Sequence, residues 1–212
     1  LLWGEEPTGI DYGTLYKNRY PVLRKIVPRF RENLPEDFHE FLEQNKHWLS
    51  DYSLYMTIKW LHQDRSWTEW EPPYRFRELE ALEDILENYK DEIFFWNMLQ
   101  YLFFQQWEKL KKYANDNGIE IVGDIPIYTA MDSADVWANA QQFYLDDALQ
   151  PIEVSGVPPD AFTADGQLWG NPLFRWDVME QDGFSWWINR LAHVTSIYDV
   201  TRIDHFRGFD SY

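Results

Sequence analysis

Two short runs rich in β-branched residues, each preceded by a helical pattern and each ending in an aspartate, limit the folds open to this chain of 212 residues. Ile119-Glu120-Ile121-Val122-Gly123-Asp124 follows a long helical stretch closed by Asn117-Gly118. Val200-Thr201-Arg202-Ile203-Asp204 follows a helical pattern over residues 184–197. Short, almost wholly apolar runs placed after helices read as buried parallel strands. Helix, strand, long excursion, helix, strand is the grammar of an α/β fold, and in α/β barrels the chemistry sits where the strands end. A closed barrel needs eight strands and two are evident, so the expected architecture is part of a (β/α)8 TIM barrel.

The first 117 residues carry a different pattern and read as a mainly helical insertion. Leu15, Val22, Leu23, Ile26 and Val27 fall close to helical spacing over residues 14–31. Pro35-Glu36-Asp37 predicts the start of a second helix with Phe38, Phe41 and Leu42 as its stripe, and residues 51–61 predict a third. Pro72-Pro73 is expected to break any helix, and a long helical region over residues 77–117 to be interrupted near Lys90-Asp91. Residues 118–212 then form the partial barrel, with strands near 119–124 and 199–204 and a long active-site loop over 146–175.

The ends of those strands hold the most pointed chemistry. Residues i and i+2 of a strand share a face, so Arg202 and Asp204 project together. An arginine beside a carboxylate favours its ionised form, which suits a structural ion pair and a nucleophile equally. The loop between the strands contains Pro151, Gly156, Pro158, Pro159, Gly166, Gly170 and Pro172, with no sustained period. Inside it Asp160, Trp169 and Asn171 offer an acceptor, a stacking platform and an amide, the groups that read a polyol. A covering loop anchored by Trp169 would use the same residues.

Composition narrows the partners. A formal charge of -17 and a pI near 4.6 argue against nucleic acid, which demands clustered lysine and arginine. Aromatic residues make up 18%, including 12 Trp, and suit both sugar faces and a packed core. There is no cysteine. The five histidines show no zinc-ligand pairing, and the acids lack the pattern of a calcium loop, so neither metal nor cofactor is expected. No run of 18 apolar residues suggests a membrane span.

Five ordered motifs bring these residues together: Gly123-Asp124-Ile125-Pro126-Ile127-Tyr128, Asp132-Ser133-Ala134-Asp135-Val136-Trp137, Gly156-Val157-Pro158-Pro159-Asp160, Gly166-Gln167-Leu168-Trp169-Gly170-Asn171-Pro172-Leu173-Phe174 and Arg202-Ile203-Asp204-His205-Phe206-Arg207-Gly208. In this order they resemble the signatures of the 4-alpha-glucanotransferases, also called amylomaltases or disproportionating enzymes, of glycoside hydrolase family 77 in the α-amylase clan. His47-Trp48-Leu49-Ser50-Asp51-Tyr52-Ser53-Leu54 extends the resemblance into the helical part. The resemblance implies a (β/α)8 barrel with helical insertions and a retaining transfer of α-1,4-glucan segments between maltooligosaccharides, starch or glycogen. It implies that Asp204 is the nucleophile, that Arg202 keeps it ionised, and that His205 and Asp124 hold the donor sugar. Asp160 and Trp169 match the loop over the bound chain. Asn171 and Trp137 match binding positions that a structural role would explain equally well.

A retaining mechanism needs a second carboxyl group about 5–5.5 Å from the nucleophile. In the family that glutamate, and the aspartate that steadies the distorted sugar, follow later strands and are expected beyond Tyr212. The first barrel strands are expected before Leu1, both ends being read as cuts inside a larger protein, and the chain alone is expected to be inactive. Glu120 is no substitute, lying below Asp124 in the expected strand. A related clan hydrolase or branching enzyme, and a non-catalytic α-glucan-binding protein, are the competing readings. The expected location is the cytoplasm, or a plastid if a transit peptide precedes Leu1.

Overall fold

The computed structural model describes residues 8–159, 161 and 163–210, and over these only helices precede the first strand. The helical part opens with α1 (Tyr12–Arg24) and α2 (Val27–Glu32). The single helix expected over residues 14–31 is broken at Lys25-Ile26, and Pro28 sits in the first turn of α2. Proline has no N–H to give to a preceding turn and is best tolerated where a helix begins. The reverse correction applies to α3 (Phe38–Leu61), where two expected helices form one rod of 24 residues. Residues 43–50 hold neither glycine nor proline, so nothing interrupts it. Pro72-Pro73 starts a helix instead of breaking one, α4 (Pro72–Arg75). α5 (Leu79–Asn88) and α6 (Lys90–Asp116) are separated at Tyr89, beside the expected interruption.

Beyond Gly118 the chain turns to strands. β1 (Val122–Ile125) is shorter than the run that announces it, because residue 121 docks onto the turn before the last strand. Ile121 N donates to Asp199 Oδ2 at 2.8 Å, and its carbonyl accepts from Asp199 N at 3.0 Å. Glu120 therefore precedes the strand rather than belonging to it. α7 (Ala134–Ala138) and a 3₁₀ turn at Ala140–Gln142 lead to an antiparallel hairpin, β2 (Val154–Val157) with β3 (Gln167–Pro172). This hairpin lies in the stretch expected to be an aperiodic loop, since glycine and proline hide the alternation by which strands are recognised. A Cβ on Gly156 would lie 2.7 Å from the Gln167 carbonyl oxygen, so the pairing requires glycine there.

α8 (Trp176–Gln181) and α9 (Ser185–Ile197) carry the chain to β4 (Val200–Ile203). β4 pairs in parallel with β1, setting Val122 beside Val200 and Asp124 beside Arg202. The two expected strands are thus neighbours, and the described residues form no closed barrel. They are not buried on both faces, as their sequences suggested. Ile125 is 2% exposed, whereas Val122 and Val200 are 64% and 46% exposed. The face carrying Val122, Asp124, Val200 and Arg202 is open.

Secondary structure changes near Gly118, yet the larger hydrophobic core crosses that point. Leu54, Tyr55 and Ile58 of α3 pack in one cluster with Ile125, Trp137 and Phe174. A second cluster around Phe38, Phe95 and Tyr101 belongs to helices alone. Trp67, Trp70, Trp96, Trp137 and Trp187 are buried, so much of the aromatic richness goes into packing. Among the described residues no helix is long and apolar enough to cross a membrane.

Candidate active site

Parallel pairing sets Asp124 and Arg202 side by side towards the carboxyl ends of β1 and β4, and Asp204 follows one residue after β4. Arg202 Nη2 donates to Asp204 Oδ1, and Arg202 Nε lies 3.8 Å from Asp124 Oδ1. One guanidinium thus bridges two carboxylates. Its hydrogen bond, then its charge, holds the Asp204 carboxyl below the ordinary aspartate value. The same hydrogen bond raises Arg202 in return. The side chains of Asp204, Arg202 and Asp124 are 62%, 59% and 55% exposed. An ion pair so open to water contributes little to stability, but its carboxylate can be reached by a ligand.

The residues after Asp204 close one wall. His205 takes a left-handed conformation, φ 50°, and its ring meets Trp169 edge-on at 4.8 Å. Tyr128 completes this aromatic corner, 6.4 Å from His205 and 6.1 Å from Trp169. His205 Nε2 is buried and has no hydrogen-bond partner among the described residues. Gly208 makes the corner possible. A Cβ there would lie 2.9 Å from Tyr128 Oη and 3.0 Å from Ile127 Cγ1.

The hairpin brings Trp169 to the corner with 37% of its surface exposed. Asn171, on the same strand, is occupied. Its Nδ2 donates to Thr129 O at 3.1 Å and its Oδ1 accepts from Ser155 Oγ at 3.3 Å, which staples the hairpin to the segment after β1. Trp137 is 1% exposed, its indole donates to Tyr74 O at 2.9 Å, and the Arg77 guanidinium lies 4.2 Å over its ring. These contacts fit the structural role that its motif left open. Asp160 lies outside the described residues.

Sequence reading passed over two further residues. Tyr128 stands in the first motif, but a strand-period reading ends before it and gives no hint that it turns towards His205. Asp132 anchors the other end of the same segment. Its Oδ1 accepts from Tyr55 Oη at 2.7 Å and its Oδ2 from Lys59 Nζ at 2.5 Å. Burial alone would raise the Asp132 carboxyl; the hydrogen bonds from Lys59 and Tyr55 outweigh it and lower the carboxyl instead. Arg190 Nη2 donates to Pro126 O at 2.7 Å and Trp67 Nε1 to Met131 O at 2.6 Å, so the segment from 126 to 132 is tied along its length. Among the described residues no three His, Cys, Asp or Glu side chains gather as a metal site.

Comparison with known proteins gives this geometry a context. A family model described as 4-alpha-glucanotransferase matches residues 2–212. A 4-alpha-glucanotransferase of Clostridium butyricum is 44% identical over 211 residues, covering 99% of this chain and 43% of the relative. One from Streptococcus pneumoniae is 47% identical over 212 residues, covering 99% of this chain and 42% of the relative. The solved amylomaltase from Streptococcus agalactiae, in complex with acarbose, matches with a TM-score of 0.92 at 40% identity, over 99% of this chain and 43% of that one. The chain therefore spans less than half the length of these relatives.

Proposed function

The chain belongs to the 4-alpha-glucanotransferase family, and on that premise we propose that the protein containing it transfers α-1,4-glucan segments between maltooligosaccharides, starch or glycogen by a retaining double displacement. The observation that carries this reading is the exposed Asp204 carboxylate, hydrogen-bonded by Arg202 where β4 ends and next to Asp124.

In this reading β1 and β4 are adjacent staves of a (β/α)8 barrel. The open face supports it: Val122, Asp124, Val200 and Arg202 share one side of the paired strands, as inward-pointing residues of neighbouring barrel strands do. Residues 1–117 are then a helical insertion and residues 118–212 the barrel part, while the stretch 146–175, built on the hairpin, borders the site.

The Asp204 carboxylate attacks the anomeric carbon and displaces the reducing-side glucan, leaving a covalent β-glycosyl ester. A second carboxyl group, about 5–5.5 Å away, protonates the leaving oxygen. The family resemblance puts that glutamate outside these residues. The same group then takes the proton from the 4-hydroxyl of an acceptor glucan, whose oxygen attacks the ester and restores an α-1,4 bond. Asp124 and His205 hold the donor sugar, and Trp169 and Asp160 lie along the chain. Asn171 sets the position of Trp169 through its bond to Thr129 O. No cofactor enters these steps.

Incubating the intact protein with maltotriose tests the proposal. Glucose plus a ladder of oligosaccharides longer than the substrate is the expected result. Shortened products alone would instead favour a clan hydrolase, new α-1,6 linkages a branching enzyme, and binding without turnover a non-catalytic glucan-binding protein. The 212-residue chain by itself is expected to give no ladder, because its carboxylate stands in open water and lacks the second carboxyl group.

A further inference from the structure

A cavity of about 550 Å3 lies between α3, α7, the 3₁₀ turn after it and α9. Neither Asp124, Arg202, Asp204, His205 nor Trp169 lines it. Its size falls within the range of small-molecule sites, roughly 300–1,000 Å3. Three features of its walls decide what it suits.

Aromatic surface is the first. Trp48, Tyr52 and Trp186 face the cavity. The second is an unanswered polar group: Gln142 is 8% exposed, lines the cavity, and its Oε1 has no hydrogen-bond partner among the described residues. A buried amide oxygen left unpaired loses its hydration without return, and a ligand hydroxyl would restore the missing bond. Charge is the third. Asp51 is engaged by Arg77 at 2.6 Å, and Asp182 caps Ser185 at the start of α9. Asp135 also lines the cavity, its carboxyl raised by burial and pulled back by Arg190 and His193. An anion would meet Asp51, Asp135 and Asp182, and a cation would meet Arg190. A neutral ligand with apolar faces and hydroxyl edges meets neither penalty.

We propose that this cleft is a second, non-catalytic saccharide-binding site, which holds a short stretch of α-glucan against Trp48 and Trp186 with hydroxyls directed at Gln142 and Asp135. The choice of glucan over another neutral sugar rests on the transferase reading; the cleft itself does not. Such a site keeps a long polymer attached while the catalytic site exchanges its ends, raising the local concentration of donor chain.

The probe is maltotetraose, titrated by calorimetry into the intact protein carrying Asp204→Asn, which binds without turning over. Two binding events are expected, and Asn189→Trp, which places an indole in the cleft, is expected to remove one and leave the other at its original affinity. Asp135→Asn keeps the shape of the cleft, so a weakened second event in that variant supports the site even if Asn189→Trp folds poorly. A single event in the parent, or two events unchanged in both variants, overturns the proposal. The two readings fail separately. A protein that disproportionates maltotriose but binds at one site sinks the cleft alone, and one that binds at two sites without disproportionation sinks the transferase reading alone.

Discussion

The segments that leave the two parallel strands are built in opposite ways. After β1, residues 126–132 are fastened at Pro126, Thr129, Met131 and Asp132 by Arg190, Asn171, Trp67, Tyr55 and Lys59. After β4, Asp204 is held by Arg202, His205 Nε2 has no hydrogen-bond partner among the described residues, and Phe206 is 69% exposed. The first segment spends its polar groups on the fold and forms a fixed floor. The second leaves the Asp204 carboxylate exposed, where a ligand can meet it. Asp132 and Asp204 are both depressed aspartates with a cationic neighbour, so a lowered carboxyl does not by itself distinguish anchoring from chemistry. Surroundings do: Asp132 is also bonded by the buried Tyr55, whereas the side chain that bonds Asp204 is the exposed Arg202.

Substitutions in the intact protein should separate the two segments. Asp204→Asn is the largest change. It should cut disproportionation of maltotriose on the order of 10^4-fold or more, as loss of a nucleophile does, with the melting temperature unchanged. Residual activity near the parent level would place the nucleophile elsewhere. Arg202→Gln comes next, with a fall of roughly 10²-fold from misplacement of the carboxylate. Its pH profile carries the sharper signature. Arg202 depresses Asp204, so the nucleophile is ionised down to a lower pH than an ordinary aspartate. Without Arg202 that pKa rises, and the acid limb of kcat/KM moves to higher pH. An unmoved limb would break the link between the two residues.

Tyr55→Phe is the smallest of the three and acts on the other segment. Removing one hydrogen bond to Asp132 should cost about 1 kcal/mol in urea unfolding, with little change in turnover. The sign with pH follows from Asp132 being lowered in the folded protein. Its contribution is complete above the unfolded aspartate pKa and fades as pH falls through the folded one. The variant should therefore lose its deficit in acid, and a deficit independent of pH would mean that Tyr55 acts by packing alone.

Much of this contrast was legible in the chain and part was not. Arg202 and Asp204 were legible because period-two alternation fixes which side chains share a face. The parallel character of β1 and β4 was legible from the helix preceding each, whereas their pairing with one another was not. The hairpin was hidden because Gly156, Gly170 and Pro172 interrupt alternation, Gly156 where close backbone approach requires glycine and Gly170 where φ is positive. The surroundings of Trp137 were not legible, because a tryptophan in a short motif looks the same whether its ring faces a sugar or Tyr55 and Trp70. The ties from Tyr55 and Lys59 to Asp132 join residues more than 70 positions apart, a separation no local pattern records.

The central claim is that Asp204 becomes bonded to the sugar. It is tested most directly by treating the intact protein with a maltosyl fluoride carrying a second fluorine on the reacting ring, which slows breakdown of a glycosyl ester. Digestion and mass spectrometry should then find the added maltosyl mass on the peptide containing Asp204, localised to that carboxylate. A label on another carboxylate, or none in a protein that disproportionates maltotriose, would contradict it.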